Sequence, residues 1–226
     1  MLQVTGVCKS FAGPQGQKVL DNLNLSIHPG EYVAILGITH SGKSTLLNVL
    51  GGLVRADSGS IVIEGTEIGI LSDHDLTSLR RRRIGFIFQA FHLLPHLSAG
   101  LNIALPLQLD GVPRTEALQR AQELMDQIGL GDRMLALPSE LSHTHIQRIS
   151  VARAFAHKPA LVLADEPTGG MESEMGLKML QVLREQLKLN HTSGILVTCS
   201  LEAARTADQI LVLENGQLSP FQGQIG

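Results

Sequence analysis

The amino-acid sequence predicts an α/β fold, in which the strands of an open sheet alternate with helices. Short apolar runs such as Tyr32 to Leu36 and Ala160 to Ala164 have the length and composition of buried strands. Segments with apolar residues at three- and four-residue steps, such as Met175 to Leu189, predict amphipathic helices. A glycine-bounded loop joins the first of these strands to a helix predicted from Thr45 to Leu50.

The loop after Leu36 fits the pattern G-x-x-x-x-G-K-[ST], which binds phosphate through backbone N–H groups when a strand precedes it and a helix follows. A chance glycine turn is the alternative, and the flanking elements argue against it. We expect Lys43 to reach the β- and γ-phosphates of a nucleoside triphosphate, and the Ser44 hydroxyl to ligate Mg²⁺. The candidate phosphate contacts are Gly37, Ile38, Thr39, His40, Ser41, Gly42, Lys43, Ser44 and Thr45.

Composition narrows the class of protein. A chain of 226 residues can form one large domain, or one domain that carries a subdomain. The net charge of -3 argues against a nucleic-acid partner held by bulk charge. No apolar run approaches the roughly 20 residues that span a bilayer, and Met1 leads into a strand-like segment rather than a signal peptide. Cys8 and Cys199 are isolated thiols, so a reduced cytosolic setting is expected.

The segments before the loop are typical of strands. Leu2 to Val7 and Val19 to Ile27 alternate apolar and polar residues, and a turn is predicted between them at Gly13-Pro14. Phe11 has two interpretations, as a ring that stacks on adenine or as a residue of the core. Spacing alone does not decide between them.

A second set of elements follows the loop. Ile61 to Ile63 predicts a strand, and the polar stretch after it is predicted to be helical through Leu79. The basic run Arg80 to Arg83 is either a solvated face or a contact with a partner or lipid headgroups. Ile84 to Phe88 predicts another strand, and Gln89 at its carboxyl end would point toward the ligand crevice of an open α/β sheet.

The central region, residues 91–157, shows helical periodicity and no clear strand. Apolar residues recur at helical spacing from Thr115 to Ile128. A further helix is predicted from Ile146 to Ala156, with Ser142 placed to cap it. We interpret this region as a helical subdomain inserted in a nucleotide-binding core.

The strand from Ala160 to Ala164 leads into two carboxylates. Asp165 is placed to bind Mg²⁺, and Glu166 to polarise an attacking water. Two exposed acids at a strand end are the alternative, which the adjoining Pro167-Thr168-Gly169 disfavours. The C-terminal third predicts strand Gly194 to Thr198, helix Leu201 to Ala207 and a last clear strand from Gln209 to Leu213, with no pattern in the tail from Ser219.

The order of these motifs closely resembles that of an ABC-transporter ATP-binding subunit, over nearly the whole chain from Val4 to Leu218. The shared features are the phosphate loop, Gln89 after a strand, a helical insertion, Leu141-Ser142, and Asp165-Glu166-Pro167-Thr168. The stretches RRIGFIFQAFHLLP and ADEPTG resemble one branch of that family, the ATPase subunits of lipoprotein-extraction, macrolide-export and FtsE-type cell-division systems.

The resemblance implies a P-loop NTPase (RecA-like) core with an N-terminal antiparallel β subdomain and an inserted α-helical subdomain. It divides a single ATP-binding domain into a core at 1–89 and 158–218, a helical part at about 90–157 and a tail at 219–226. The implied function is to bind and hydrolyse ATP with Mg²⁺ and so drive a membrane-embedded exporter or extractor. Such a subunit is cytoplasmic and peripheral on the inner face of the cell membrane.

The resemblance also implies residue roles. Phe11 stands at the adenine-stacking position, and Gln89 at the position that touches Mg²⁺ and senses the membrane subunit. Glu166 matches the general base and Asp165 the metal-side carboxylate. In this family two subunits, in a homodimer or heterodimer, sandwich two ATP molecules, so Ser142 would serve the partner's ATP.

Three segments depart from the family pattern. The signature glycines after Leu141-Ser142 are replaced by His143 and Thr144, and a side chain there obstructs close approach of backbone N–H groups to phosphate. Cys199 stands at the position of the switch histidine, and residues 169–172 replace the usual D-loop. Because the signature and switch positions are altered, reduced turnover is expected. His143 and His145 lack a third ligand and do not indicate a metal site.

Two other functions are consistent with parts of the sequence. An ATP-binding regulatory module with little or no hydrolysis would explain the altered signature and switch, whereas Glu166 favours an ATPase. A soluble P-loop kinase or GTPase is less compatible, because no Asn-Lys-x-Asp base-reading motif is present and Gln89 and Leu141-Ser142 have no role in it.

Overall fold

The computed structural model describes residues 1–11 and 17–223, and within these ranges the chain forms two sheets and a group of helices. The predicted turn at Gly13-Pro14 lies outside the described residues. The strands are β1 (Leu2–Phe11), β2 (Gln17–Ile27), β3 (Tyr32–Leu36), β4 (Ser58–Ile63), β5 (Thr66–Glu67), β6 (Ile84–Ile87), β7 (Leu161–Asp165), β8 (Ser193–Thr198), β9 (Gln209–Glu214) and β10 (Gln217–Pro220). The α-helices are α1 (Lys43–Leu50), α2 (Asp73–Arg83), α3 (Ala99–Leu109), α4 (Arg114–Gln127), α5 (His143–Ala154), α6 (Ser173–Leu189) and α7 (Leu201–Ala204).

The larger sheet has the strand order β10-β9-β3-β8-β7-β6, and all its neighbours are parallel except β10 and β9. Its central strands are buried on both faces, as continuous apolar runs require. In β3, Val33 and Ile35 face one core, whereas Tyr32 and Ala34 face the other. Successive side chains of a strand point to opposite faces, so one short run of sequence holds two layers against the sheet.

The smaller sheet has the order β2-β1-β4-β5 and is antiparallel throughout. Leu2, Val4 and Val7 of β1 are buried and pack in the same core as α1 and one face of the larger sheet. The fold class is confirmed by this arrangement of an antiparallel sheet beside an α/β core.

The helical region lies against the opposite face, with α3, α4 and α5 packed on one another. Asn102 is fully buried in α3 and ties down the segment before that helix. Its Oδ1 accepts from Leu94 N at 2.7 Å, and its Nδ2 donates to the carbonyls of Leu94, Leu97 and Ser98. A buried amide whose donors and acceptor are all paired fixes one backbone conformation.

The structure corrects the prediction for the C-terminal end. Gln209 to Leu213 is not the last strand, because β10 pairs antiparallel with β9, with Ser219 opposite Val212 and Pro220 opposite Leu211. Ser219 and Pro220 therefore belong to the sheet rather than to an unpatterned tail. The sequence pattern does not predict β10 because this strand lies at the sheet edge, where Pro and polar residues are tolerated.

The basic run at the end of α2 is bound within the chain. Arg80 donates to the carbonyl of Gly52 at 2.7 Å, and Arg83 pairs with Glu64. Arg81 and Arg82 both lie within 4 Å of Asp110 at the end of α3. The run therefore joins α2 to neighbouring elements, which favours a structural role over lipid contact.

Across residues 1–11 and 17–223, no helix combines the length and apolar character needed to cross a membrane.

Candidate nucleotide-binding site

The phosphate loop connects β3 to α1 at the carboxyl edge of the larger sheet. The loop begins with a hydrogen bond from Gly37 N to Thr198 O at 3.1 Å, which continues the β3–β8 pairing. Gly42 adopts φ 96° and immediately precedes α1, and a Cβ there would lie 2.6 Å from Val19 Cγ1. Glycine is required at this position, because an L side chain would be strained and would collide. The first N–H groups of α1 consequently face the loop, where they can bind an anion.

Lys43 is the first residue of α1, and its side chain is folded back into the loop. Its Nζ donates to the carbonyl oxygens of Gly37 and Ile38, each at 2.8 Å, and lies 3.7 Å from Glu166 Oε1. Only 7% of Lys43 is exposed. A nearly buried ammonium between carbonyls and a carboxylate is a point charge placed for phosphate.

Glu166 follows β7 in a left-handed conformation with φ 43°, which is rare for a residue with a side chain. Its N–H bonds to Val197 O at 3.0 Å, and its carbonyl accepts from Gly169 N at 2.9 Å. The turn directs the carboxylate back over the sheet edge, where Oε2 lies 3.9 Å from Cys199 Sγ. Strained backbone of this kind is found where function requires a fixed orientation.

Asp165 ends β7 one residue earlier, and its Oδ1 is buried with no hydrogen-bond partner. A buried carboxylate oxygen that lacks a donor is costly unless it receives a proton or a cation. Helix α1, which carries Ser44, packs against β7. A carboxylate and a hydroxyl are hard oxygen ligands, so these residues fit Mg²⁺, which would compensate the charge of Asp165 and of bound phosphate.

Gln89 lies two residues beyond β6 and is exposed toward the same edge. Its side chain lies over Gly169: a Cβ added to Gly169 would be 3.1 Å from Gln89 Nε2. The segment after β6, which carries Gln89, therefore meets the segment after β7, which carries Gly169.

Phe11 ends β1 and is 44% exposed, so the core interpretation of this residue does not hold. The Lys9 ammonium lies 5.5 Å from the centre of the ring and also pairs with Asp57 at 2.7 Å. Sequence reasoning missed Lys9, although its position two residues before Phe11 on a strand places both on one face.

These residues enclose one cleft of about 810 Å³. Its walls are Phe11, Val19, Thr39, His40, Gly42, Lys43, Ser44, Thr45, Gln89, Glu166, Gly169, Gly170 and Cys199. A larger cleft of about 1060 Å³ is lined by Gly37, Ile38 and Ser41 among others, and it adjoins the first because both include Val19, Thr39, His40 and Cys199. We assign the smaller cleft to the nucleotide, because it holds the ammonium, the carboxylate and the exposed aromatic ring together.

Ser142 stands apart from this cleft. It is the N-cap of α5, where its hydroxyl accepts from His145 N at 3.3 Å, and it is exposed. His143 occupies the first position of the helix, and its ring lies roughly perpendicular to that of Phe91, with the ring centroids 4.8 Å apart. Within one chain, therefore, the signature position does not reach the nucleotide cleft.

The comparisons with known proteins agree with this geometry. The ABC transporter family matches residues 20–169. The chain belongs to the ABC transporter family. It is 39% identical, over 97% of its own length and 96% of the relative's, to a Bacillus subtilis (strain 168) protein named the uncharacterized ABC transporter ATP-binding protein YknY.

Two other relatives place the chain in the predicted branch. It is 42% identical to the lipoprotein-releasing system ATP-binding protein LolD of Pseudomonas syringae pv. tomato, over 96% of each chain. It is also 42% identical to the macrolide export ATP-binding/permease protein MacB of Vibrio parahaemolyticus, of which it spans 33% of the length. A solved post-hydrolysis dimer of the ATP-binding cassette MJ0796, bound to ADP and Pi, superposes with a TM-score of 0.88 at 34% identity, over 99% of this chain and 100% of that one. This chain is the ATP-binding subunit of an ABC transporter, and an ATPase.

His40 is a strained residue of this cassette. Its φ of 66° lies in the left-handed region, and its side chain is exposed in the loop. The sequence pattern treats this position as variable, and only the backbone conformation reveals a cost there.

We expect His40→Gly to raise the free energy of unfolding by about 0.5–1 kcal/mol, because relief of left-handed strain exceeds the entropy that glycine loses on folding. Urea unfolding measures the difference. His96→Gly is the matched control: His96 is exposed and has no positive φ, so that variant should be less stable by about 0.5–1 kcal/mol. Equal destabilisation of both variants would contradict the strain assigned to His40.

Proposed function

We propose that the chain binds ATP with Mg²⁺ in the cleft lined by Phe11, Lys43, Gln89 and Glu166, and hydrolyses it through Glu166. The observation that carries this proposal is the 3.7 Å approach of the Lys43 ammonium to the Glu166 carboxylate in one cleft with the exposed Phe11 ring. A cation for phosphate and a base for water at the edge of the larger sheet thus share one cleft with a platform for a purine at the end of β1 in the smaller sheet.

Phosphate recognition is assigned to residues 37–45. The N–H groups at the start of α1 bind the β- and γ-phosphates together with the Lys43 ammonium. Lys43 leaves the carbonyls of Gly37 and Ile38 to do so, and a charge-assisted bond to phosphate compensates that loss. Phe11 stacks on the adenine, with Lys9 near the ring.

Mg²⁺ is assigned to Ser44, Gln89 and Asp165. The metal would neutralise phosphate charge as it develops in the transition state. Asp165 fits this role because its buried Oδ1 lacks a donor, and Gln89 fits because its amide lies at the cleft wall beside Gly169.

Glu166 accepts the proton of the attacking water, and its left-handed backbone holds the carboxylate in the cleft.

A second ATP-binding subunit completes the site in this proposal. Ser142 lies outside the cleft of its own chain but is exposed at the N-terminus of α5, where it is accessible to the ATP of a partner subunit. The His143 ring is turned against Phe91 of its own chain, so it crowds that approach less than its size suggests.

Turnover is limited by Cys199 in this proposal. The thiol is 3.9 Å from Glu166 Oε2 and occupies the switch position, where a strong donor would hold the γ-phosphate. A thiol is a weak donor, and a missing transition-state donor typically lowers the rate by about 10²–10³.

A membrane-embedded permease is the proposed partner, bound at the cytoplasmic face of the membrane. The relatives named for lipoprotein release and macrolide export support this assignment. We place the docking face next to residues 90–101, where the chain passes from the nucleotide core into the helical region. Leu135 lies on this face and is 89% exposed, and the N–H groups of Ala99 and Gly100 bond to the carbonyls of Ala136 and Met134.

The phosphate assignment is tested by Lys43→Ala. Loss of a charge-assisted hydrogen bond should weaken ATP binding by about tenfold to a hundredfold. Titration of a fluorescent ATP analogue, in the presence of Mg²⁺, measures the dissociation constant. Lys178→Ala removes an exposed lysine that pairs with Glu174 and should bind as the parent does. Unchanged binding in Lys43→Ala would refute the assignment of this cleft to ATP.

The turnover assignment is tested by Cys199→His. The longer imidazole supplies the missing donor, so kcat should rise by at least about tenfold. Single-turnover hydrolysis of radiolabelled ATP measures even slow rates. Cys199→Ala removes the thiol without adding a donor and is expected to stay within about twofold of the parent. If Cys199→His is no faster than Cys199→Ala, the thiol does not limit hydrolysis.

The docking face is tested by photocrosslinking in cells of the source organism. A benzophenone amino acid at Ala90 or Ser98 should capture the permease, because Ala90 directly follows Gln89 and Ser98 precedes Ala99, which bonds to Ala136 next to the exposed Leu135. Ser26 on β2 is exposed and serves as the control position, at which no permease adduct is expected. Adducts formed at Ser26 and absent at Ala90 and Ser98 would place the partner on the antiparallel sheet instead.

A further inference from the structure

The segment from Gln89 to His92 has an unusual backbone. Phe91 and His92 are consecutive residues with side chains in the left-handed region, at φ 57° and 49°. Local bonds support the turn, from Phe91 N to Phe88 O at 3.0 Å and from His92 N to Ala90 O at 2.6 Å. Two successive left-handed residues persist only when the surroundings hold them.

One side chain supplies the external support. Arg153 in the last turn of α5 donates from Nη1 to His92 O and from Nη2 to Phe91 O, each at 2.6 Å. A planar guanidinium can hold two adjacent carbonyls at once, which an ammonium cannot do with the same geometry.

Among the described residues, the guanidinium of Arg153 forms its hydrogen bonds only with this segment. Burial lowers the pKa of its guanidinium, and among the described residues it forms no ion pair with a carboxylate. A partly buried cation that is compensated by two backbone carbonyls loses its compensation if the segment moves. The contact is therefore sensitive to the position of the backbone beyond Gln89.

The same helix meets the segment at its other end. His143 is the first residue of α5. Its ring packs roughly perpendicular to that of Phe91, and the two ring centroids are 4.8 Å apart. Helix α5 thus contacts the segment both at its first residue and in its last turn.

We propose that Arg153 is a positioning residue for hydrolysis, which acts by holding the backbone after Gln89 so that the amide reaches the cleft beside Gly169. This inference rests on the metal-side role proposed for Gln89.

The experiment is a double-mutant cycle on the full chain. Arg153→Lys keeps the charge but loses one of the two carbonyl bonds, and should lower kcat about tenfold with little change in the KM for ATP. In a Gln89→Ala background the same substitution should change kcat by less than about twofold, because the residue through which it acts is gone. Arg148→Lys is the matched control: Arg148 lies on the same helix and donates to the carbonyl of Ile128 on α4's C-terminal side at 3.4 Å.

Amide hydrogen exchange supplies a readout that does not depend on activity. Peptides that cover residues 88–97 should exchange faster in Arg153→Lys, by about tenfold, and at the parent rate in Arg148→Lys. Parent-like exchange and kcat in Arg153→Lys would overturn the inference, as would an equal loss of kcat with and without Gln89. If Gln89→Ala alone leaves kcat unchanged, the role proposed for Gln89 fails, and the exchange data still decide whether Arg153 holds the segment.

Discussion

Parallel pairing of β3, β8 and β7 is the constraint on which the site depends. In this register Leu36 lies opposite Thr198, and Asp165 lies opposite Val197, so the three strands end at one level. The backbone then continues the ladder into the loops, with Gly37 N bonded to Thr198 O and Glu166 N bonded to Val197 O. Because the strands are buried on both faces, the residues that follow them have a rigid base, and rigid positioning is what phosphoryl transfer requires.

Several residues around this base have unusual conformations or chemistry. His40 adds backbone strain to the phosphate loop, and Cys199 places a thiol beside Glu166. His143 turns its ring toward Phe91, and Ser142 remains exposed at the N-terminus of α5. In the function we propose, binding of phosphate depends on loop amides and Lys43, whereas turnover depends on donors to the transition state, so the two properties can vary separately.

The helical region packs on one face of the larger sheet through apolar residues, and two polar side chains fix the segment of chain that leads into it from β6. Asn102 orders the segment before α3, and Arg153 holds the carbonyls of Phe91 and His92. Both side chains bond to backbone groups, so they fix the conformation of a loop whatever its side chains are. Helix α5 therefore touches the segment after Gln89 at two places, at the Phe91 ring and at the carbonyls of Phe91 and His92.

The sequence by itself determined the fold class, the phosphate loop, the strand that precedes Asp165 and Glu166, and the cap at Ser142, because each depends on local spacing and on residue types with one physical role. It left Phe11 undecided between core and surface, and it missed the edge strand β10 and the part played by Lys9 and Arg153. Those features are non-local: Phe11 is exposed because β1 ends at the cleft, and β10 exists because β9 offers an unpaired edge. Arg153 binds carbonyls 61 and 62 residues away along the chain. Only the tertiary structure decides such contacts, because backbone carbonyls are present at every residue and carry no sequence signal.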